Sequence, residues 1–185
     1  MAWMSEIGLS VRAGTQTNDA AGSAIAQLVR VVTSDADAPK LAYFAAAFDP
    51  NTDEHLFWQF RLPDNYNGTP TLYVQLYNDT AQGGDANTVA FEAAVVAVTP
   101  GDADVLTALD ITNDGDGWTG SPIVLTNGTT AGRLYESEID LADDMDGAAG
   151  GDLLFIGLRR DVSDDDAAGD ACVVAVSLKY AVGTG

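Results

Sequence analysis

The stretch LFWQFRLPDNYNGTPTLYVQLY, residues 56–77, decides the fold class of this chain. Apolar residues recur at every second position on both sides of its turn: Leu56, Trp58, Phe60 and Leu62 before it, and Leu72, Val74 and Leu76 after it. A period of two is typical of a β-strand with one buried face. Pro63 suits the end of a strand, and Gly68 suits a turn position with positive φ. The stretch therefore predicts two strands, joined either as a wide hairpin or across two different sheets.

The same alternation recurs along the chain, at residues 89–97, 135–141, 154–158 and 172–180, with shorter candidates at 25–33, 40–48 and 121–126. In the last long run, the predicted buried face consists of Cys172, Val174, Val176, Leu178 and Tyr180. Clusters of Gly, Asp, Asn and Pro separate the runs. About eight strands with this spacing predict an all-β, antiparallel sandwich or barrel. The only helical signal is a short turn within residues 101–110.

The chain of 185 residues fits one domain. Residues 25–185 are predicted to form a single β domain, and residues 1–24 an extended N-terminal arm outside it. The arm carries the apolar residues Trp3, Ile7 and Leu9. Such a segment packs either on a neighbouring subunit or back on its own domain, and the sequence leaves both open.

Charge excludes several classes of partner. The chain has 8 Lys and Arg against 28 Asp and Glu, for a formal net charge of −20. A nucleic acid or an acidic membrane surface needs a basic footprint, which this composition does not offer. The acidity indicates either solubility in a saline or crowded setting, or a basic partner surface.

No residue pattern indicates an enzyme. The chain has a single histidine, His55, and a single cysteine, Cys172, which is expected to be a small buried apolar residue. Nucleophile elbows and phosphate-binding glycine motifs are absent from the sequence. We therefore predict no catalytic residue, no cofactor-binding residue and no metal ligand.

Acidic residues concentrate in three loops, at residues 112–117, 140–147 and 161–170. The nearest approach to a calcium-binding pattern is Asn113, Asp114 and Asp116, but the spacing of the known loop pattern is not met. The loops are therefore predicted to be solvated turns. Glu136 and Glu138 alternate on one strand face and are predicted to point outward as solubilising residues. Arg159 and Arg160 are adjacent in a strand and point to opposite faces, so one is expected to pair with an acidic loop.

Three aromatic residues lie opposite the predicted core-facing sets of their strands: Phe57, Tyr73 and Tyr77. Such rings form a stacking platform for sugars, pack within the sandwich, or contact another subunit. The structural and subunit interpretations are favoured over the sugar platform.

The order of several motifs resembles a broad set of tailed-phage virion proteins. The resemblance covers about residues 48–182 and rests on Asp49, residues 52–54, Phe60, Pro63, Tyr66, Gly68, residues 151–152, residues 159–161 and residues 169–171. In this chain they read as DPNTDE, then F-x-x-P-x-x-Y-x-G, then GDLLFIGLRRD, then GDA.

This resemblance implies a jelly-roll fold and a non-enzymatic structural role. Such a protein is a capsid decoration (cement) protein or a head fibre. A decoration protein is made in the bacterial host cytoplasm, binds the outside of the phage capsid and cements the major capsid protein, commonly as a homotrimer. The alternative function from the residues themselves is a carbohydrate-binding or host-adsorption module that uses the three rings.

Overall fold

The computed structural model describes residues 3–14, 24–34, 39–83, 87–103, 106–111, 115–125 and 130–183. Its strands, in chain order, are β1 Trp3–Leu9, β2 Ala24–Ile25, β3 Gln27–Val32, β4 Ala42–Phe48, β5 Glu54–Arg61, β6 Thr71–Asn78, β7 Thr88–Val98, β8 Thr119–Val124, β9 Leu134–Asp140, β10 Leu153–Arg160 and β11 Ala171–Val182. The predicted helical turn is a single 3-10 turn at Leu106–Ala108. Within the described ranges, no helix is long and apolar enough to cross a membrane.

The strands form a jelly-roll sandwich, which confirms the predicted fold class. Sheet A has the order β3-β4-β11-β6-β9, with β1 also paired to β11, and sheet B has the order β2-β5-β10-β7-β8. Of the eight strands β4 to β11, sheet A contains β4-β11-β6-β9 and sheet B contains β5-β10-β7-β8, and the chain crosses between the sheets at every connection except that from β7 to β8. This is the double Greek key of a jelly roll.

The opening stretch joins the two sheets. β5 lies in sheet B and β6 in sheet A, so residues 56–77 cross from one layer to the other and do not form a hairpin. The predicted apolar faces of the two strands meet in one core, where Leu56, Trp58, Leu62, Leu72, Val74 and Leu76 are all buried. Gly68 has a φ of +77°, as its turn position requires.

One predicted face is wrong, in β11. Val176, Leu178 and Tyr180 point into the core as expected, but Cys172 does not belong to the main core cluster, whereas Val173 does. The pairing of β11 with β6 shifts register between Val173 and Ala175. A β-bulge adds one residue to a strand and therefore inverts its alternation beyond that point.

The predicted N-terminal arm is also corrected. β1 pairs with β11 along its whole length, from Trp3 opposite Val182 to Leu9 opposite Val176. Leu9 and Val11 are buried in the main core, and the indole nitrogen of Trp58 donates a hydrogen bond to the Ser10 carbonyl oxygen at 2.9 Å. Residues 3–14 thus fold back on their own domain, because the apolar side chains gain burial there. Residues 15–23 lie outside the described residues.

The loop at residues 161–170 is not a solvated turn. Arg160 is fully buried and forms an ion pair with Asp165, whose side chain is only 2% exposed. The same guanidinium also donates to the carbonyl oxygens of Phe48, Ala167 and Gly169 at 2.9–3.0 Å. The prediction that one of the two adjacent arginines pairs with an acidic loop is therefore confirmed. A buried guanidinium needs this full set of acceptors to offset its lost hydration.

Candidate functional site

The three aromatic residues considered as an alternative sugar platform, Phe57, Tyr73 and Tyr77, lie on opposite outer faces of the sandwich. Phe57 belongs to sheet B, whereas Tyr73 and Tyr77 belong to β6 of sheet A. Phe57 packs with Ile111 and Trp118 around Gly157, where an added Cβ would meet all three side chains within 2.9 Å. Phe57 is therefore a packing residue, and sheet A alone retains two of the rings.

A groove lies on the outer face of sheet A because small residues sit between long ones. Gly8 on β1 pairs with Ser177 on β11, which in turn pairs with Tyr73 on β6. Ala175, two residues along β11, is exposed and equally short. The three strands lie side by side, so the floor is about 10 Å wide. An added Cβ at Gly8 would meet no atom within 4 Å, which shows that the space above it is open.

The groove has a volume of about 390 Å³, within the range of roughly 300–1,000 Å³ that is usual for small-molecule sites. Its lining combines one aromatic ring, several hydrogen-bonding groups and a short apolar floor: Glu6, Gly8, Tyr73, Gln75, Glu136, Ala175, Val176, Ser177 and Lys179. This mixture offers both a flat apolar surface and convergent donors and acceptors.

The polar groups of the groove are already oriented. The Lys179 ammonium nitrogen lies 5.6 Å from the centroid of the Tyr73 ring, within reach of a cation–π contact. The Gln75 amide nitrogen donates to a Glu136 carboxylate oxygen at 2.9 Å. These contacts restrain the Lys179, Gln75 and Glu136 side chains around the floor. Less side-chain conformational entropy is therefore lost when a ligand binds. Glu136 points outward, as predicted, but it also forms one wall of the groove.

Tyr77, on the same face of β6, packs differently from Tyr73. Its ring meets Tyr43 edge-on, with centroids 6.5 Å apart, and contacts the apolar cluster that contains Cys172. Burial, together with hydrogen bonds to Cys172 and Tyr43, raises the pKa of Tyr77. Burial also raises the pKa of the Cys172 thiol to about 11. The thiol is thus protonated at neutral pH and packs as a small apolar group, which confirms the prediction for Cys172.

His55 lies on the outer face of sheet B, away from Cys172 on sheet A. Its ring stacks on Phe57 at a centroid distance of 6.0 Å and meets Trp118 edge-on at 5.3 Å. The Arg159 guanidinium carbon lies over the Trp118 ring, 4.7 Å from its centroid. The two residues of a cysteine–histidine pair are therefore on opposite sides of the sandwich.

The acidic loops serve mainly as acceptors for backbone amides. The Asp116 carboxylate accepts the Asp146 backbone N–H at 2.6 Å, and the Asp146 carboxylate accepts that of Ala97 at 2.9 Å. Asn113 and Asp114 lie outside the described residues. Across the described ranges, no group of three or more potential metal-ligating side chains is found. Short carboxylates that accept amides in this way stabilise turns.

A cluster of carboxylates near Arg160 contains charges that are disfavoured by burial and by mutual repulsion. Burial raises the pKa of Asp170 above its usual value of 3.8, and the neighbouring Asp79 and Asp49 raise it further. Burial likewise raises the pKa of Glu54. The unfolded chain releases these protons at lower pH than the folded chain does. Stability therefore falls as pH rises from the unfolded pKa through the folded pKa.

We expect Asp170→Asn to raise the free energy of unfolding at pH 7, because it removes a charge that burial and Asp79 disfavour. The gain should shrink as the pH is lowered through the raised pKa of Asp170, because the wild-type carboxylate then takes up a proton. Urea denaturation at several pH values measures both. Asp143→Asn removes an exposed charge and is the matched control. Equal gains for the two variants would attribute the effect to net charge and not to this cluster.

Sequence reasoning missed most of the groove. It identified Tyr73 and Glu136 as outward-facing but did not connect them with Glu6, Gly8 or Lys179. The missing information is the pairing of β1 with β11, which joins residues more than 160 positions apart in the chain. The local signal was two small residues at alternate positions of β11, Ala175 and Ser177. They form the floor of a groove only because β1 lies beside them.

Comparisons with known proteins give structural similarities only. No protein family matches the chain, and no curated protein matches it either. Among solved structures, TmCBM27, a carbohydrate-binding module described for specific mannan recognition, aligns over 97% of this chain and 99% of its own, at 15% identity and a TM-score of 0.41. The module CBM28, described as specific for non-crystalline cellulose, aligns over 84% of this chain and 82% of its own, at 12% identity and a TM-score of 0.34.

A CocE/NonD family hydrolase from Staphylococcus aureus aligns over 98% of this chain but only 37% of its own, at 10% identity and a TM-score of 0.44. At identities of 10–15% and TM-scores of 0.34–0.44, these similarities carry no argument about ligand or activity.

Proposed function

We propose that this chain is a non-enzymatic binding module that takes a neutral, hydroxyl-rich ligand, a carbohydrate, in the groove on sheet A. The observation that carries the proposal is the Tyr73 ring beside a low floor, surrounded by oriented polar side chains. A sugar ring has apolar C–H faces and a rim of hydroxyl groups. A flat aromatic side chain complements the face, and the carboxylate, amide, hydroxyl and ammonium groups of the groove complement the rim.

Charge narrows the ligand class. Glu6 and Glu136 flank the groove, and the whole chain carries a formal net charge of −20. An acidic polysaccharide would meet repulsion from both, with Lys179 as the one cation in the lining. A neutral oligosaccharide avoids this penalty and can still use every donor and acceptor.

Calorimetric titration with cello-, manno- and malto-oligosaccharides, to millimolar concentration, tests the proposal. We expect at least one to bind, and Tyr73→Ala to weaken it by about tenfold or more, since burying such a ring contributes roughly 1.5–3 kcal/mol. Tyr77→Ala removes a ring from the same strand face outside the groove, so it should lower stability and leave the affinity unchanged. If no neutral oligosaccharide binds, or both variants lose affinity equally, the proposal fails.

The second candidate function is capsid decoration, with the major capsid protein as partner and a homotrimer on the virion surface. What favours it is the ordered set of motifs in the sequence that resembles tailed-phage virion proteins. Several of those residues build loops: Arg160 binds the loop at residues 161–170, and Gly68 holds its turn with positive φ. These residues therefore act within the fold, and the resemblance supports a similar fold more directly than a similar partner. Light scattering that gives three times 19.2 kDa would favour this candidate.

A further inference from the structure

β3 is an edge strand with apolar side chains on both faces. Val29 and Val31 are half-buried on the outer face of sheet A, and on the opposite face Leu28 and Val32, which flank Arg30, remain 40% and 44% exposed. A strand with apolar side chains on both faces is typical of the interior of a sheet. Within the part of the chain that the structure describes, however, β3 pairs with β4 alone.

Other edges of the sandwich carry features that block further pairing. β9 presents Glu136, Glu138 and Asp140, and β8 contains Pro122, which cannot donate a backbone hydrogen bond. β2 has only two residues, and β1 carries the exposed Glu6. β3, with the sequence QLVRVV, has neither an acidic residue nor a proline, and its one charge is Arg30. It thus lacks the features that protect the edges formed by β9, β8, β2 and β1.

The region around β3 also differs in charge from the rest of the molecule. Residues 24–48 carry Arg30 and Lys40 against Asp35 and Asp37, so this segment has no net formal charge, whereas the chain as a whole carries −20. Leu41 and Tyr43, which follow in this region, are 72% and 37% exposed. Two copies of a chain with charge −20 repel each other over most of their surface, and this neutral segment adds little to that repulsion.

We infer that β3 is the contact through which two copies of this chain associate, by antiparallel pairing of β3 with β3. The pair is related by a two-fold axis, and it joins the two sheets A into one continuous sheet. Each copy supplies the backbone groups that the other edge lacks, and apolar faces meet apolar faces on both sides of the joined sheet. The groove is lined by β1, β11, β6 and β9, so this contact leaves it open.

Light scattering of the full chain at low and high salt, over a range of concentrations, tests the inference. We expect a mass of twice 19.2 kDa that persists to lower concentration in high salt, because salt screens the repulsion between the acidic bodies. The variant Leu28→Glu/Val32→Glu places two carboxylates on the edge and should give a monomer. Both side chains are exposed, so the fold should be retained, and circular dichroism checks this.

The matched control is Val124→Glu/Leu134→Glu, which makes the same chemical change at 48% and 59% exposed positions on β8 and β9. It should remain a dimer at every concentration where the wild type is one. A monomeric wild-type chain, a mass three times that of the chain, or dissociation of both variants alike would each overturn β3 pairing. None of these results depends on whether the groove binds sugar, and sugar binding can also be measured on the monomeric variant. The groove and the dimer are therefore tested separately.

Discussion

Arg160→Met is expected to destabilise the fold by about 3–5 kcal/mol, a large part of the total for a domain of this size. The guanidinium has no exposed surface and holds three carbonyl oxygens and both carboxylate oxygens of Asp165. Removing it leaves the Asp165 carboxylate buried without its cation. Denaturation in urea, followed by circular dichroism, measures the loss, and a variant that does not fold at all would agree with it.

Two further variants separate burial from charge. Arg159→Met changes the neighbouring residue on the opposite face, where Arg159 is paired with Glu92 and is 24% exposed. It should cost about 1 kcal/mol, as expected for a partly solvated pair. The double variant Arg160→Met/Asp165→Leu should recover part of the Arg160→Met loss, because the unpaired carboxylate is gone. If Arg159→Met and Arg160→Met are equally harmful, the buried ion pair has no special role.

Alternation predicted β5 and β6 well because residues that face the core are buried at every second position in both strands. Leu56 and Trp58 in β5, and Leu72 and Val74 in β6, are all buried as the period of two requires. The same logic failed in β11, where one extra residue at the bulge changes which side chains face the core. Nothing local in ACVVAVSLKY marks that position, since valines occupy both phases.

The candidate site was harder to predict because it depends on which strands become neighbours. Phe57 and Tyr73 carry the same outward phase in their own strands, yet the crossing between sheets places them on opposite sides of the molecule. The sequence predicts an arm at residues 1–24, whereas the structure forms β1 there, and β1 supplies Glu6 and Gly8 to the groove. The sequence shows no catalytic motif, but long-range strand pairing decides which surface of the molecule is concave.

Gly8→Tyr is expected to abolish carbohydrate binding, a loss of at least about a hundredfold, while leaving the fold at least as stable as the wild type. Gly8 lies at the floor of the groove beside Ser177, and its φ is not in the left-handed region, so a side chain is accepted without backbone strain. The new ring would occupy the space that the ligand needs, next to Tyr73. Glycine in a strand interior costs roughly 0.5–1 kcal/mol relative to alanine, so a replacement at this position should not lower the melting temperature.

Gly8→Ala is the control, because its added methyl group meets no atom within 4 Å and fills little of the groove. It should bind within about twofold of the wild type, since a change that small corresponds to less than 1 kcal/mol. Calorimetry with the oligosaccharide that binds the wild type, and thermal unfolding of all three proteins, give both readouts. A folded Gly8→Tyr variant that keeps its affinity would place the ligand outside this groove, even if Tyr73→Ala weakens binding. If Gly8→Tyr alone loses affinity and its melting temperature is unchanged or higher, the loss results directly from occlusion of the groove.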